Sequence, residues 1–354
     1  MKPRSPAILF YTPNWLGDAV MATPALRSAR MSWPDHHIIL AGTASACGIL
    51  RGLPYFDQTL EIPSKAGLPW MLRAARTIRK QYRIQLAFIL PHSFRAALFA
   101  SLTGARRRVG INRGGRRLLL TDPVPPRLES GQIAPEYMAF EYLRLVEQAG
   151  GRPDDQGLSL AVSENARNLV AEKLTGEDRP VIALAPGAAF GASKRWAPER
   201  FAAVADYAYS KWNATCVLLT GPGDSEVRDA VLKSASVPIT EIREGGLETL
   251  KAVIERADIL IGNDSGSRHI AVALGTPVIC IMGSTSPAYT DSPWEKGDII
   301  RANVPCAPCQ QPECPLEHHR CMKDISVEIV TEALKKWLNT RRETGKLPNQ
   351  ISPA

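Results

Sequence analysis

The sequence predicts an α/β protein made of two doubly wound halves, each a parallel sheet wrapped by helices. Three observations predict it. Short apolar and β-branched runs alternate with stretches of helical periodicity along nearly all of the 354 residues, which is the pattern of consecutive βαβ units. The alternation is interrupted by one cluster of turn formers, Gly150-Gly151-Arg152-Pro153-Asp154-Asp155-Gln156-Gly157. That cluster reads as a hinge between two segments of ordinary domain size. Finally, several predicted strands run into loops rich in Gly, Ser and Thr, and open α/β sheets bind ligands at the carboxyl ends of their strands.

The first half, residues 1–155, opens on a strand at 8–11. Its apolar run is too short for a secretory signal and reads as a buried strand. A helix at 19–31 follows, then a strand at 38–41, a short helix at 44–52 and a strand at 58–62. The series continues with a helix at 69–81, a strand at 86–90, a helix at 94–102, a strand starting at 109 and a helix at 137–149. The second half, 156–342, repeats the scheme. Strands are expected at 181–185, 215–220 and 239–242, and helices at 198–212, 225–234 and 247–256, with Pro198 at a favoured first-turn position. Residues 258–287 then form a compact βαβ unit: strand 258–262, polar turn 263–266, helix 267–274, strand 277–282 and a small-residue loop. A helix at 328–342 closes the domain, and 343–354 reads as a polar tail.

Bulk composition narrows the partners. Hydrophobic residues make up 45% and charged residues 22%, ordinary values for a soluble globular chain. No apolar run approaches the roughly 18 residues of a membrane span, so a cytoplasmic protein is expected. The net charge of +8 favours anionic partners: nucleotides, phosphorylated sugars, nucleic acid or acidic membrane surfaces. Arg106, Arg107, Arg108, Arg113, Arg116 and Arg117 crowd one stretch, which reads either as a solvated loop or as a patch for such anions. Among seven cysteines, Cys47, Cys216 and Cys280 sit singly in apolar segments as small core residues.

Five groups of residues carry chemistry. The loop after the first strand, Thr12-Pro13-Asn14-Trp15-Leu16-Gly17-Asp18, lacks the glycine pattern of a dinucleotide site. Asp18 reads as the cap of the next helix, as a general base, or as both. Pro91-His92-Ser93-Phe94-Arg95 follows the fourth strand, and Arg95 is suited either to an anionic acceptor or to solvent. In the second half, the loop from Pro186 to Trp196 carries Lys194 and Arg195 among small residues, as a diphosphate site requires, although it is not a Walker A sequence. In the 258–287 unit, Asp264 is expected to cap the helix, Ser265 and Gly266 to offer donors, and His269 to lie one turn inside. Cys306-x2-Cys309-x4-Cys314-x6-Cys321, with His318 and His319 inside it, reads as a structural zinc or iron–sulfur site or as reduced thiols in a Pro-rich loop.

Four of these motifs occur together in order: Asn14-Trp15-Leu16-Gly17-Asp18, Leu90-Pro91-His92-Ser93-Phe94-Arg95, Ser193-Lys194-Arg195-Trp196 and Asn263-Asp264-Ser265-Gly266-Ser267-Arg268-His269. In them the chain resembles the ADP-heptose:lipopolysaccharide heptosyltransferases of glycosyltransferase family 9, the type II members above all, from about residue 8 to residue 338. The resemblance implies a GT-B fold, two Rossmann-like domains with a cleft between them. It implies inverting transfer of heptose from ADP-L-glycero-β-D-manno-heptose to the heptosyl-Kdo2-lipid A inner core of lipopolysaccharide, with no cofactor required for the chemistry. By that resemblance Asp18 is the base, Lys194 neutralises the leaving diphosphate, and Asp264, Ser265, Gly266 and His269 hold ADP. Asn14, Ser93 and Arg95 are read as further substrate contacts. Peripheral contact with the inner membrane surface is expected and nucleic acid is not. Ser267 and Arg268 stand where many relatives carry apolar residues. A sibling heptosyltransferase, a GT-B-like sugar epimerase and a non-catalytic nucleotide-binding module remain open as alternatives.

Overall fold

Every strand of the two main sheets pairs parallel to its neighbours, so each needs a crossover helix and both faces become covered. This explains the continuous apolar runs: Ala7, Ile8, Leu9 and Phe10 of the first strand are all fully buried. The computed structural model describes residues 5–175 and 179–344, with side chains to residue 339. The chain divides into two units, residues 1–161 with 288–290, and residues 162–287 with 291–354. The expected tail falls, from residue 345, outside the described residues.

The N-terminal unit contains β1 (Ser5–Tyr11), β2 (His37–Gly42), β3 (Gln58–Glu61), β4 (Tyr82–Ile89), β5 (Arg107–Ile111) and β6 (Asp122–Val124), in the order β3-β2-β1-β4-β5-β6. A small hairpin, β7 (Leu128–Glu129) and β8 (Gln132–Ile133), stands apart from this sheet. The C-terminal unit contains β9 (Val181–Ala185), β10 (Thr215–Leu218), β11 (Ile239–Thr240), β12 (Ile259–Asn263), β13 (Val278–Ile281) and β14 (Gly297–Ile300), in the order β11-β10-β9-β12-β13-β14. The two orders are the same. In each sheet the chain reverses direction of winding between its first and fourth strands, so those neighbours flank the switch point where ligands collect.

Helices Phe94–Leu102, Pro198–Trp212 and Ser225–Ser234 match their predicted bounds. The predicted helix at 19–31 is instead two helices, Leu16–Met21 and Thr23–Ser32, meeting at Ala22. Pro24 lies in the first turn of the second and has no N–H to continue the ladder of the first. Helix Glu164–Lys173 and strands β6 and β14 have no counterpart in the sequence reading. The helix buries only Ala166 and Val170, too narrow a stripe to stand out, and the strands are three and four residues long.

The segment expected to be a hinge is fastened to the N-terminal unit. Arg27, on helix Thr23–Ser32, donates to both Asp154 carboxylate oxygens at 3.0 and 2.5 Å. It also reaches Gly157 O at 2.8 Å and Ser159 Oγ at 3.1 Å, while Ser28 Oγ donates to Asp154 at 3.0 Å. The division between units therefore follows Ala161, beyond the glycine-rich run. Asp154→Ala should strand a largely buried guanidinium and cost about 3 kcal/mol of stability, read from urea unfolding. A loss under about 1 kcal/mol, the level of an exposed pair, would show that solvent reaches Arg27.

Candidate active site

In the C-terminal unit the loops after β9 and β12 are tied together at the switch point. Asn263, the last residue of β12, is buried. Its Nδ2 donates to Pro186 O at 2.7 Å and its Oδ1 accepts from the Trp196 N–H at 3.1 Å. The loop after β9 thus begins and ends on one side chain. Between those ends, the turn Ala192–Lys194 is anchored to the cysteine-rich segment. The Ser193 N–H donates to Pro312 O at 3.0 Å. Ser193 Oγ bonds Gln311 O at 2.5 Å and lies 2.9 Å from Ser284 Oγ. A Cβ built on Gly191 would sit 2.1 Å from Pro312 O, so the two segments could not approach this closely with any other residue there.

That anchoring delivers Lys194 to the end of β12. Its Nζ donates to Asp264 Oδ2 at 2.7 Å and to Asp264 O at 3.0 Å, 5.2 Å from the centre of the Phe190 ring. Asp264 is buried and fully engaged. Thr285 Oγ1 donates to Oδ2 at 2.7 Å, and Arg268 Nη1 donates to Oδ1 at 3.0 Å. Arg268 is itself inaccessible to solvent, and its Nε donates to both oxygens of Glu295 at 3.0 and 2.8 Å. Burial alone would push the Asp264 carboxyl up, but Lys194 and Arg268 outweigh it and hold the group well below the usual carboxylate range.

Asp264 does not cap the helix that follows. Helix Gly266–Leu274 has Ser265 at its N-cap, and the Ser265 side chain makes no cap bond. The ion pairs have captured the carboxylate that was expected to close this end. The helix start at Ser265 and Gly266 therefore presents backbone N–H groups and the positive end of the dipole, which is what a phosphate requires. His269 is buried behind it. Desolvation, helped by the nearby Arg268 charge, pushes its pKa down to about 3, so it is a neutral imidazole at physiological pH. Among the described residues its Nδ1 has no hydrogen-bond partner.

In the N-terminal unit Asp18 is also not a cap. It lies in the first turn of helix Leu16–Met21, whose N-cap is Trp15. A carboxylate there still benefits from the helix dipole. Asn14 is exposed on the loop before it. After β4, His92 Nε2 lies 2.7 Å from Glu141 Oε1. Burial, with the charges of Asp18 and Glu141 adding to it, raises the pKa of the buried Tyr142 hydroxyl well above normal, so both carboxylates act on one neighbourhood. Ser93 caps helix Phe94–Leu102 by accepting from the Ala96 N–H. Arg95 donates to Ser64 O at 2.9 Å and to Pro63 O at 3.2 Å, so its first task is to hold a loop.

The arginine cluster is neither a solvated loop nor a single patch. Arg116 is fully buried on the carbonyls of Ile111 and Pro91. Arg107 pairs with Asp122 at 2.6 Å and Arg108 bonds the Leu119 and Ala105 carbonyls. Arg106, Arg113 and Arg117 are exposed. Cys306, Cys309, Cys314 and Cys321 line one small cavity with His318, His319, Ser193 and Ser284. Cys306 Sγ lies 3.9 Å from His318 Nε2. Among the described residues no three His, Cys, Asp or Glu side chains are placed to hold a metal ion, and all seven cysteines are free thiols. The observed task of this segment is to carry the Ser193–Lys194 turn. Thr285, Glu295 and Glu141 escape sequence reading. Arg268 left one trace, its four-residue spacing from Asp264.

A model of glycosyltransferase family 9, the heptosyltransferases, matches residues 71–320. Lipooligosaccharide heptosyltransferase 2 of Campylobacter jejuni is 27% identical over 337 residues, covering 93% of this chain and 98% of that relative. Lipopolysaccharide heptosyltransferase 2 of Salmonella typhimurium is 26% identical over 344 residues, covering 94% and 98%. The solved structure of the E. coli ADP-heptose lipopolysaccharide heptosyltransferase II superposes with a TM-score of 0.79 at 24% identity, over 95% of this chain and 99% of that one. Two doubly wound units of the observed strand order thus make a GT-B fold.

The neutral imidazole makes a pH prediction. Between pH 6.5 and 3 the unfolded chain binds a proton at His269 that the folded chain, with its depressed pKa, refuses. Stability therefore falls on acidification through that window, by about 1.4 kcal/mol per pH unit for this one group. Replacing His269 with Gln should flatten the dependence of the urea midpoint on pH between 5 and 6.5. An unchanged slope would mean that His269 takes up its proton in the folded state.

Proposed function

This chain belongs to glycosyltransferase family 9, and from that membership we propose that it moves heptose from ADP-L-glycero-β-D-manno-heptose to the heptosyl-Kdo2-lipid A inner core of lipopolysaccharide. The observation that carries the proposal is the Lys194–Asp264 pair beside the uncapped start of helix Gly266–Leu274, at the carboxyl ends of β9 and β12. A nucleoside diphosphate is the ligand such a site suits. Loop and helix N–H groups receive its oxygens, and one mobile ammonium receives the charge that grows as it leaves.

Asp18 takes the proton from the acceptor hydroxyl. The hydroxyl oxygen attacks C1 of the heptose from the face opposite the diphosphate, the C1–O bond to ADP breaks, and the configuration at C1 inverts. Lys194 turns from Asp264 to the leaving diphosphate, while Thr285 and Arg268 keep Asp264 compensated. Ser265 and Gly266 supply N–H donors, and the neutral His269 offers a hydrogen bond without adding charge. Asn14, Ser93 and Arg95 border the acceptor. Arg106, Arg113 and Arg117, exposed in a chain of net charge +8, suit a peripheral stay at an anionic lipid surface on the cytoplasmic side, where the acceptor lipid is built. Among the described residues no helix is long and apolar enough to cross a membrane.

The test is ADP release from ADP-heptose on addition of heptosyl-Kdo2-lipid A. Asp18→Asn should lower kcat by about 10²–10⁴-fold and leave the Kd for ADP unchanged. Lys194→Ala should lower kcat by about 10²–10³-fold and weaken ADP binding as well. A chain that binds ADP-heptose but releases no ADP with this acceptor is not the transferase proposed. Full activity in Asp18→Asn would assign the base elsewhere.

A further inference from the structure

Behind the Lys194–Asp264 pair lies a second layer of charge, made of Arg268, which compensates Asp264, and of Glu295, to which the proposed reaction gives no part. Arg268 is completely inaccessible and Glu295 nearly so. The guanidinium divides its donors. Its Nε serves both Glu295 oxygens and its Nη1 serves Asp264 Oδ1, while Nη2 stands 3.8 Å from the more exposed Asp291 Oδ1. From Glu295 to Lys194 the charges alternate: carboxylate, guanidinium, carboxylate, ammonium. All three links between them lie within hydrogen-bonding distance and largely out of water, so each charge acts on the next with little screening.

We infer that Arg268 and Glu295 are positioning residues that set how firmly Asp264 holds Lys194, and through that hold the affinity of the site for a nucleoside diphosphate. This rests on the ADP-binding reading of Lys194. The reasoning is one of shared compensation. Lys194 can serve a diphosphate only by loosening from Asp264, and a buried carboxylate left without a cation is costly. Arg268 supplies the second cation that lets Asp264 give Lys194 up. Glu295 draws on the same guanidinium and limits how much compensation reaches Asp264. The two residues therefore act in opposite senses. Removing Glu295's charge should weaken the grip of Asp264 on Lys194, and removing Arg268's charge should strengthen it.

A purely structural role would make both changes act alike, so the sign is the test. Glu295→Gln, Arg268→Met and Arg268→Lys would be compared with the unaltered chain in two measurements. The first is the rate at which acetic anhydride labels Lys194, followed by peptide mass spectrometry, which needs no bound nucleotide. The second is the Kd for ADP by calorimetry. Glu295→Gln should speed labelling and tighten ADP, and Arg268→Met should slow labelling and weaken ADP, each on the order of fivefold. Arg268→Lys should restore most of both. Should Arg268→Met fail to fold, Glu295→Gln still decides the matter, because slower labelling or weaker ADP binding in that folded variant overturns the inference. Opposed labelling shifts in a chain that binds no ADP would uphold the charge layer and overturn the ADP reading instead.

Discussion

A buried aspartate held between two cations is the interaction on which the C-terminal unit turns. Asp264 directly follows β12, and its two oxygens are claimed by Lys194, Thr285 and Arg268. Each claim fixes a different part of the chain. Lys194 brings the loop after β9, Thr285 brings the loop after β13, and Arg268 brings the first turn of the helix that Asp264 was expected to cap. An isolated carboxylate at this depth would be heavily penalised. The assembly is stable because the positive charges arrive with it, and they arrive only when both neighbouring strands are paired in register.

The same topology explains why charged residues collect where they do. In both sheets the first and fourth strands are neighbours, and the loops leaving them at their carboxyl ends lie side by side. In the N-terminal unit those loops carry Asp18 and His92, with Glu141 behind. In the C-terminal unit they carry Lys194 and Asp264. One strand order, used twice, is furnished with proton-accepting groups in one unit and with groups suited to a diphosphate in the other. The transfer proposed above asks for such a division, with the acceptor deprotonated on one side and the leaving group stabilised on the other.

The fold was readable from sequence because its signals are local. A fully buried parallel strand such as Val181–Ala185 is an apolar run, and a helix such as Pro198–Trp212 has a periodic stripe and a proline at its start. The candidate site residues were singled out by type and loop position, but the capping expected of the two aspartates was misread. Both aspartates looked like helix caps, since Asp before a helix usually is one. Asp264 is not, because its partners include a lysine seventy positions away, and no local pattern reports such a pairing. Asp18 is not, because its helix begins at Leu16, three residues earlier than the apolar period suggests. The arginine run fails for a related reason. Whether Arg116 is buried or Arg117 exposed depends on which carbonyls the fold brings near. Glu295 lies in a polar loop with nothing to mark it, and its importance comes entirely from the guanidinium it meets.

The cysteine-rich segment completes this logic. On the proposed reading Lys194 exchanges one anion for another, which needs a fixed backbone and a free end. The backbone is fixed by the Ser193 N–H on Pro312, the Ser193 hydroxyl between Gln311 and Ser284, and the close approach of Gly191 to Pro312. The segment that provides these contacts is held in turn by the packing of Cys321 and Met322 against Gly283, where any Cβ would meet their sulfur atoms. Among the described residues, the Lys194 ammonium is held by Asp264 and lies 5.2 Å from the centre of the Phe190 ring. The cysteine-rich segment thus bears on the Ser193–Lys194 turn through Gln311 and Pro312.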